Sequence, residues 1–321
     1  MSFLNALHCT NHKEPPPLWI MRQAGRYLPS YQKMRARYSL RELFLEPELA
    51  AQVTQLPLKE FAFNAGIIFS DITLPALALG CSVDFKEGPV IQPLFTPETI
   101  LRPFNLEALD FIRHALRISK ASLSVPLIGF CAEPWTLATY LIDTHEDKTL
   151  PKTKRWLHSD PDSFHRLLEQ LTQLSIAYLQ MQVDAGADAI QIFDSHSHIL
   201  AEEDWRTFSL PYLQRVVDTI NVPTIVFLRN SLLRASALSG CAISADWLSP
   251  LAHLRKIVGP NIPLQGNLDP DCLFAPLPLL RTKVRKLLDS MKGDPGFIVN
   301  LGHGIKPGTP VEAVHCLIST L

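Results

Sequence analysis

The stretch SFHRLLEQLTQLSIAYLQMQVDAGADAIQIFDSHS, residues 163–197, decides the fold. Helical spacing runs from Ser163 to Ala185 and stops at Gly186, a natural helix C-cap. A near-continuous apolar run, Ala189 to Phe193, follows at once and ends on Asp194-Ser195-His196. A run that does not alternate fits a parallel strand buried on both faces. Helix, short turn, buried strand and a polar strand end form the repeating unit of an α/β protein.

The same unit recurs along the chain. Apolar runs read as strands at Leu18 to Met21, Gly66 to Phe69, Pro126 to Phe130, Thr224 to Leu228, Ala242 to Ala245, Ile262 to Gly266 and Phe297 to Leu301. With Ala189 to Phe193 they number eight. Further helices are expected over Leu106 to Ala121 and Pro276 to Met291. Eight strands alternating with helices predict a single-domain (β/α)8 TIM barrel over residues 1–321. An open doubly wound sheet is the alternative. The gaps after the first three runs leave room for extra elements, and the helix between the fifth and sixth is stunted.

Polar residues collect where the runs end. Arg22 follows the first, Ser70-Asp71 the second, Asp194-Ser195-His196 the fourth and Arg229-Asn230 the fifth. Asp246-Trp247, then Asn267 and Asp269, then His303 follow the last three. A barrel enzyme builds its active site at the carboxyl ends of its strands. Several of these residues also have structural readings. Asp71 could cap a helix, and Asp269 before Pro270 is a good turn or cap signal. His303 between Gly302 and Gly304 marks a close approach of backbone or ligand.

The first strand end is the most distinctive. Arg22 and Arg26 are four residues apart and split by Gly25, so a turn presents two guanidiniums together. Guanidinium forks match carboxylates and stay charged. An anionic, polycarboxylate ligand is one reading; a solvated strand-to-helix turn is the other. Lys33, Arg35, Arg37 and Arg41 extend the basic stretch with no acid until Glu42. They read as an anion funnel or as a solvated helix face.

Composition narrows the classes. The chain has 321 residues, 47% of them hydrophobic, and a net charge of -1, so nothing global points to nucleic acid. Six scattered cysteines, none at C-x-x-C spacing, fit reduced thiols in a cytoplasmic protein. No signal-peptide core or bilayer-length apolar stretch is apparent, so no membrane partner is expected.

These residues resemble the uroporphyrinogen decarboxylases. The resemblance covers nearly the whole chain. It is carried by WIMRQAGRYLPSY at 19–31, IIFSDITLPALALG at 67–80, GF…PWTLATYLI at 129–142 and QIFDSHSHIL at 191–200. ADWLSPL at 245–251, LQGNLDP at 264–270 and NLGHGIKPGTP at 300–310 complete it. The resemblance implies a homodimer that converts the four acetates of uroporphyrinogen III to methyls, giving coproporphyrinogen III, without metal or organic cofactor. It implies that Arg22 and Arg26 bind substrate carboxylates and that Asp71 faces the pyrrole nitrogens. It further implies that Tyr140, Ser195 and His303 line the site, with Gln23 and Ala24 in the arginine turn and Ile67 and Phe69 ahead of Asp71. Catalysis would fall to Asp71, Arg22, Tyr140 and His303.

The chemistry calls for such groups. An acetate on a neutral pyrrole has no electron sink, and protonating a ring carbon creates one. A fixed carboxylate beside the pyrrole N–H groups stabilises that cation, and an ionised carboxylate is acceptor-only. The proton donor stays open. Arginine is an awkward acid, with a pKa above about 12, whereas His303 and Tyr140 are better acids on that ground.

Two stretches depart from the family. In Gly129-Phe130-Cys131-Ala132-Glu133-Pro134, Ala132 replaces a glycine and Glu133 brings a negative charge near an anion site. After Tyr140, residues 141–147 are acidic and lack glycine. His196 and His198 form an H-x-H pair that could hold a metal, but no third ligand has an obvious spacing. Two rival functions follow. A zinc-dependent corrinoid or thiol methyltransferase of the same barrel would need an H-x-C pair where Val226-Phe227-Leu228-Arg229 stands. A silent tetrapyrrole-binding protein would bind porphyrinogen and release no carbon dioxide.

Overall fold

The computed structural model describes residues 2–12, 15–86, 88–143, 147 and 149–321. Its frame is a curled parallel sheet of seven strands with helices around it. In chain order the strands are β1 (Gly66–Ile67), β2 (Ser82–Phe85), β3 (Pro89–Gln92), β4 (Leu127–Ala132) and β5 (Ala189–Asp194). They continue with β6 (Thr224–Leu228), β7 (Ala242–Ala245), β8 (Leu264–Leu268) and β9 (Phe297–Leu301). The large sheet runs β1-β4-β5-β6-β7-β8-β9, and β2 and β3 form a separate antiparallel hairpin.

The first expected strand is the departure. Leu18 makes a single parallel bridge to Val299 of β9. On its other side, the Asn64 N–H donates to the Leu18 carbonyl at 2.8 Å. The Trp19 N–H donates to the Val299 carbonyl at 3.4 Å, but Ile20 and Met21 form no regular ladder, because side chains take their N–H groups. The Met21 N–H donates to Asn300 Oδ1 at 3.0 Å, and the Ile20 N–H to Gln23 Oε1 at 3.3 Å.

Alternation along the strands sorts two layers. Ile190, Ile192, Val226, Leu228, Ile243, Val299 and Leu301 pack outward on the helices. Ala189, Ile225, Phe227, Ala242 and Ile298 face inward, where Phe3, Ala6 and Leu7 of the helix Ser2–Leu7 join them. That helix therefore closes the amino-terminal end of the curled sheet. Between the two ends lies a buried polar layer. Trp19 Nε1 donates to Gln265 Oε1 at 2.7 Å, and Gln265 Nε2 donates to Gln191 Oε1 at 3.2 Å and Ser244 Oγ at 2.9 Å.

The helices follow the expected plan. Pro161–Asp184 and Leu277–Ser290 match their spacing, and Leu106–Leu109 forms a 3-10 turn before the helix Asp110–Ser122. The stunted element after β6 is the four-residue helix Ser231–Arg234. The long early gaps hold the β2–β3 hairpin and added helices, among them Pro134–Ile142 and Pro151–Ser159. Of the glycine-free stretch 141–147, residues 144–146 lie outside the described residues.

Candidate active site

The arginine turn is fixed from below by a glutamine. Gln23 is fully buried; its Nε2 donates to the Ala65 carbonyl at 3.2 Å, and its Oε1 accepts from Ile20. Gln23 therefore braces the turn, while Ala24 packs half-buried against the core. Arg22 is left with φ 62°, in the left-handed region, and is exposed, as is Arg26. A Cβ on Gly25 would stand 2.9 Å from the Arg22 carbonyl, so only glycine completes the turn without displacement. The opposite wall is Gly304, whose missing Cβ would lie 2.5 Å from Arg22 Cδ. The Ile305 N–H donates to the Met21 carbonyl at 2.9 Å and ties the two walls together.

Asp71 stands beyond the end of β1 and divides its carboxylate between two tasks. Thr73 donates its N–H at 2.9 Å and its hydroxyl at 2.6 Å, both to Oδ1. No hydrogen bond falls on Oδ2 among the described residues. Burial pushes the carboxyl above its usual range, against the pull of the Thr73 donors and the Arg22 guanidinium. Ahead of it, Ile67 is half-buried, and the ring of Phe69 stacks on Phe44 with centroids 4.8 Å apart. Tyr140, on the helix Pro134–Ile142, is held well protonated by burial and by the Asp71 charge, with Arg22 opposing. Asp71, Tyr140 and Arg22 thus share one electrostatic neighbourhood.

Histidines line the other side. The Tyr140 ring lies 4.9 Å from that of His196, whose Nδ1 is 2.7 Å from Thr139 Oγ1. Ser195 is half-buried, with its N–H donating to Thr136 Oγ1 at 3.2 Å. His303 sits edge-on to Phe227 at 5.9 Å and Trp247 at 6.2 Å. Burial lowers its pKa to about 4, helped by the charges of Arg22, Arg229 and Lys306. Burial likewise lowers His196 to about 4, with His198 and Arg229 adding to it, and His198 to about 4, with Arg229 adding. All three imidazoles are therefore neutral at pH 7. His303 enters as a hydrogen-bonding neutral ring and not as a standing acid. Among the described residues, no group of three or more His, Cys, Asp or Glu is arranged to hold a metal.

The strand-end residues do not all belong to this site. Asp269 Oδ1 accepts from Asp271 N at 2.9 Å, and Asn267 Nδ2 donates to the carbonyls of Asp246 and Ser249 at 2.7 and 2.6 Å. Both serve the backbone. The glycines beside His303 admit protein and not a ligand: Gly304 the stem of Arg22, Gly302 the backbone of Trp247. Glu133 also differs from expectation, because its charge does not face the anion site. It is fully buried, accepting from Thr136 N at 2.8 Å and Ser209 Oγ at 3.0 Å, so it caps the helix that carries Tyr140. Burial and the neighbouring Asp194 raise its pKa well above the usual carboxylate value. Arg229, by contrast, is a site residue that sequence reasoning left at a strand end without a role. Its charge reaches His303, His196 and His198.

Comparison with known proteins shows the family. The family model described as uroporphyrinogen decarboxylase (URO-D) matches residues 2–321. A protein of Protochlamydia amoebophila named uroporphyrinogen decarboxylase is 42% identical over 99% of this chain and 90% of its own length. A Thermus thermophilus protein of the same name is 38% identical over 95% and 93%. Among solved structures, a methyltransferase from Methanosarcina mazei superposes with a TM-score of 0.80. It covers 99% of this chain and 96% of that one, but at 20% identity it speaks for the fold alone. With the family model spanning the arginine turn, Asp71, Tyr140 and His303 in one stretch, this chain belongs to the uroporphyrinogen decarboxylase family.

Proposed function

We propose that this protein decarboxylates the four acetate side chains of uroporphyrinogen III to give coproporphyrinogen III, a step of tetrapyrrole biosynthesis. The observation that carries the reading is Asp71. One oxygen is pinned by Thr73, the other is open, and Arg22 and Tyr140 stand beside it. Family membership supplies the substrate class, since the relatives bear the decarboxylase name.

In this reading Asp71 Oδ2 faces the pyrrole N–H groups. A ring carbon takes a proton, and the cation forms next to a fixed carboxylate in a partly dry cleft, where the attraction is strongest. The bond from the acetate methylene to its carboxyl carbon then breaks, carbon dioxide leaves, and the electron pair neutralises the ring. The exocyclic methylene takes a second proton to become methyl, and the ring proton is returned. Each decarboxylation consumes one proton. Arg22 and Arg26 hold carboxylates, with Gln23 and Ala24 shaping their turn. Ile67 and Phe69 supply the apolar approach to Asp71, and Tyr140, Ser195 and neutral His303 offer hydrogen bonds. Tyr140 keeps its proton at neutral pH and can donate a hydrogen bond. No metal or organic cofactor is called for.

The same reading has the chain closing as an eight-stave barrel, with Leu18–Met21 as the first stave. The bonds from Leu18 to β9 on one side and to Asn64 on the other support this. It also takes the protein to be a cytoplasmic homodimer. No helix among the described residues is long and apolar enough to cross a membrane.

Anaerobic incubation with uroporphyrinogen III, without added metal, tests the reading by chromatography of the oxidised products. Stepwise loss of four carboxylates, abolished in Asp71→Ala, is the expected result. Binding without turnover would leave a silent binding protein. Neither binding nor turnover would redirect attention to methyl donors with zinc.

A further inference from the structure

Arg229 is a cation that the proposed chemistry leaves unused. It is half-buried, and no ion pair or side-chain hydrogen bond reaches it among the described residues. Its position is nonetheless tightly built. Leu228, the last residue of β6, is in register with Asp194 of β5 and Ala245 of β7. Arg229 therefore leaves the sheet level with Ser195 and Asp246. Asn230, at φ 58°, turns the chain just after it, and its N–H donates to Asp246 Oδ2 at 2.9 Å. Asp246 Oδ1 accepts from Ser249 Oγ at 2.7 Å, and Ser231 Oγ donates to the Leu228 carbonyl at 3.0 Å. Asp246 thus holds the turn, and no ion pair joins it to the guanidinium among the described residues.

The guanidinium looks into the cleft. Arg229 leaves the carboxyl end of β6 half-buried, beside the loops that carry Ser195 and Asp246. His303, His196 and His198 all feel its charge, so it lies among three neutral imidazoles. Asp71 and Tyr140 feel Arg22 instead. Along the curled sheet β6, which leads to Arg229, is three strands from β1, about 14 Å of arc at ordinary strand spacing. An unpaired guanidinium, partly desolvated and ringed by neutral donors, is a receptor for a carboxylate. Arg22 already serves the carboxylate next to Asp71 and Tyr140, which leaves Arg229 for one that stays in place.

We propose that Arg229 is a second anchor of the substrate, holding one of the four carboxylates that the reaction leaves in place. The inference rests on the decarboxylase reading and adds a specificity residue to it. A contact kept from ground state to transition state lowers KM and leaves kcat alone.

The test compares the wild-type protein with Arg229→Gln and Arg229→Lys. With uroporphyrinogen III, Arg229→Gln raises KM ten- to a hundredfold, roughly the worth of a charge-assisted hydrogen bond, while kcat changes less than about twofold. Inhibition by coproporphyrinogen III, which keeps only the surviving carboxylates, weakens by the same factor. Arg229→Lys recovers most of the loss. An unchanged KM, a fall confined to kcat, or Arg229→Lys as poor as Arg229→Gln overturns the anchor. Product inhibition that stays at the wild-type level also overturns it, because the carboxylate held would then be an acetate. If the wild-type protein itself shows no turnover, the decarboxylase reading fails instead, and that outcome is separate.

Discussion

Gly304 and Arg22 are packed so closely that a methyl group on the glycine would stand 2.5 Å from Cδ of the arginine, 2.8 Å from Cγ and 3.0 Å from Nε. The glycine is the mould that sets the direction of the guanidinium. Gly304→Ala should therefore push Arg22 aside without touching the fold's core. We expect KM for uroporphyrinogen to rise about tenfold or more, the worth of a charge-assisted hydrogen bond. The melting temperature should stay near the wild-type value. Steady-state kinetics and a thermal melt on the same preparation check both.

Asp71→Asn keeps the shape and removes the charge. Loss of one preorganised stabilising group of this kind costs about a hundred- to a thousandfold in kcat. Substrate binding should persist, which equilibrium dialysis of the anaerobic complex would show.

Thr73 sets the protonation of that aspartate. Its two donors favour the ionised form against burial. Thr73→Val removes the hydroxyl donor, so the pKa rises further and the carboxylate is lost at a higher pH on acidification. The acid limb of the kcat/KM profile should move to higher pH, and an unmoved limb would separate Thr73 from the titration.

Glu133 and Asp194 form a buried acidic couple, and both are raised above their ordinary values. An acid with a raised folded pKa binds more protons folded than unfolded between the two values. Stability then falls as pH climbs from the ordinary carboxylate range through the folded pKa. Glu133→Gln can still accept from Thr136 and donate to Ser209, but it has nothing to ionise. It should melt higher than the wild type at neutral and alkaline pH, and the gap should close near pH 4. Thermal melts across that range decide it.

Trp19→Phe removes the donor to Gln265 Oε1 in the buried polar layer. Leaving that acceptor unmatched costs about 1–3 kcal/mol. A denaturant titration should show the loss with little change in KM.

Much of the scaffold was legible because buried parallel strands write themselves as apolar runs. Thr224–Leu228, Ala242–Ala245 and Phe297–Leu301 fall where those runs place them. The run from Ile262 starts late, at Leu264, because Pro263 has no N–H to give a ladder. Leu18–Met21 looks like its neighbours in sequence, but the N–H groups of Met21 and Ile20 go to the side chains of Asn300 and Gln23, partners 279 and three residues away. The β2–β3 hairpin was missed because it is short and only partly buried, which leaves little periodicity. In the site, residue types at strand ends were legible, and side-chain direction was not. Glu133 looked like an intruding charge, yet its partner Ser209 lies 76 residues away and draws it inward. Arg229 could be counted but not placed, since its neighbours on three loops meet only after folding.

The helix Ser2–Leu7 has its own consequence for traffic. With Phe3, Ala6 and Leu7 filling the inner layer, the amino-terminal end of the curled sheet is shut. In the decarboxylase reading, octa-acid, partly processed intermediates and carbon dioxide all pass at the carboxyl end. An intermediate that leaves must compete with fresh octa-acid to return, so the mixture of hepta-, hexa- and pentacarboxylates in solution should swell as the ratio of substrate to protein rises.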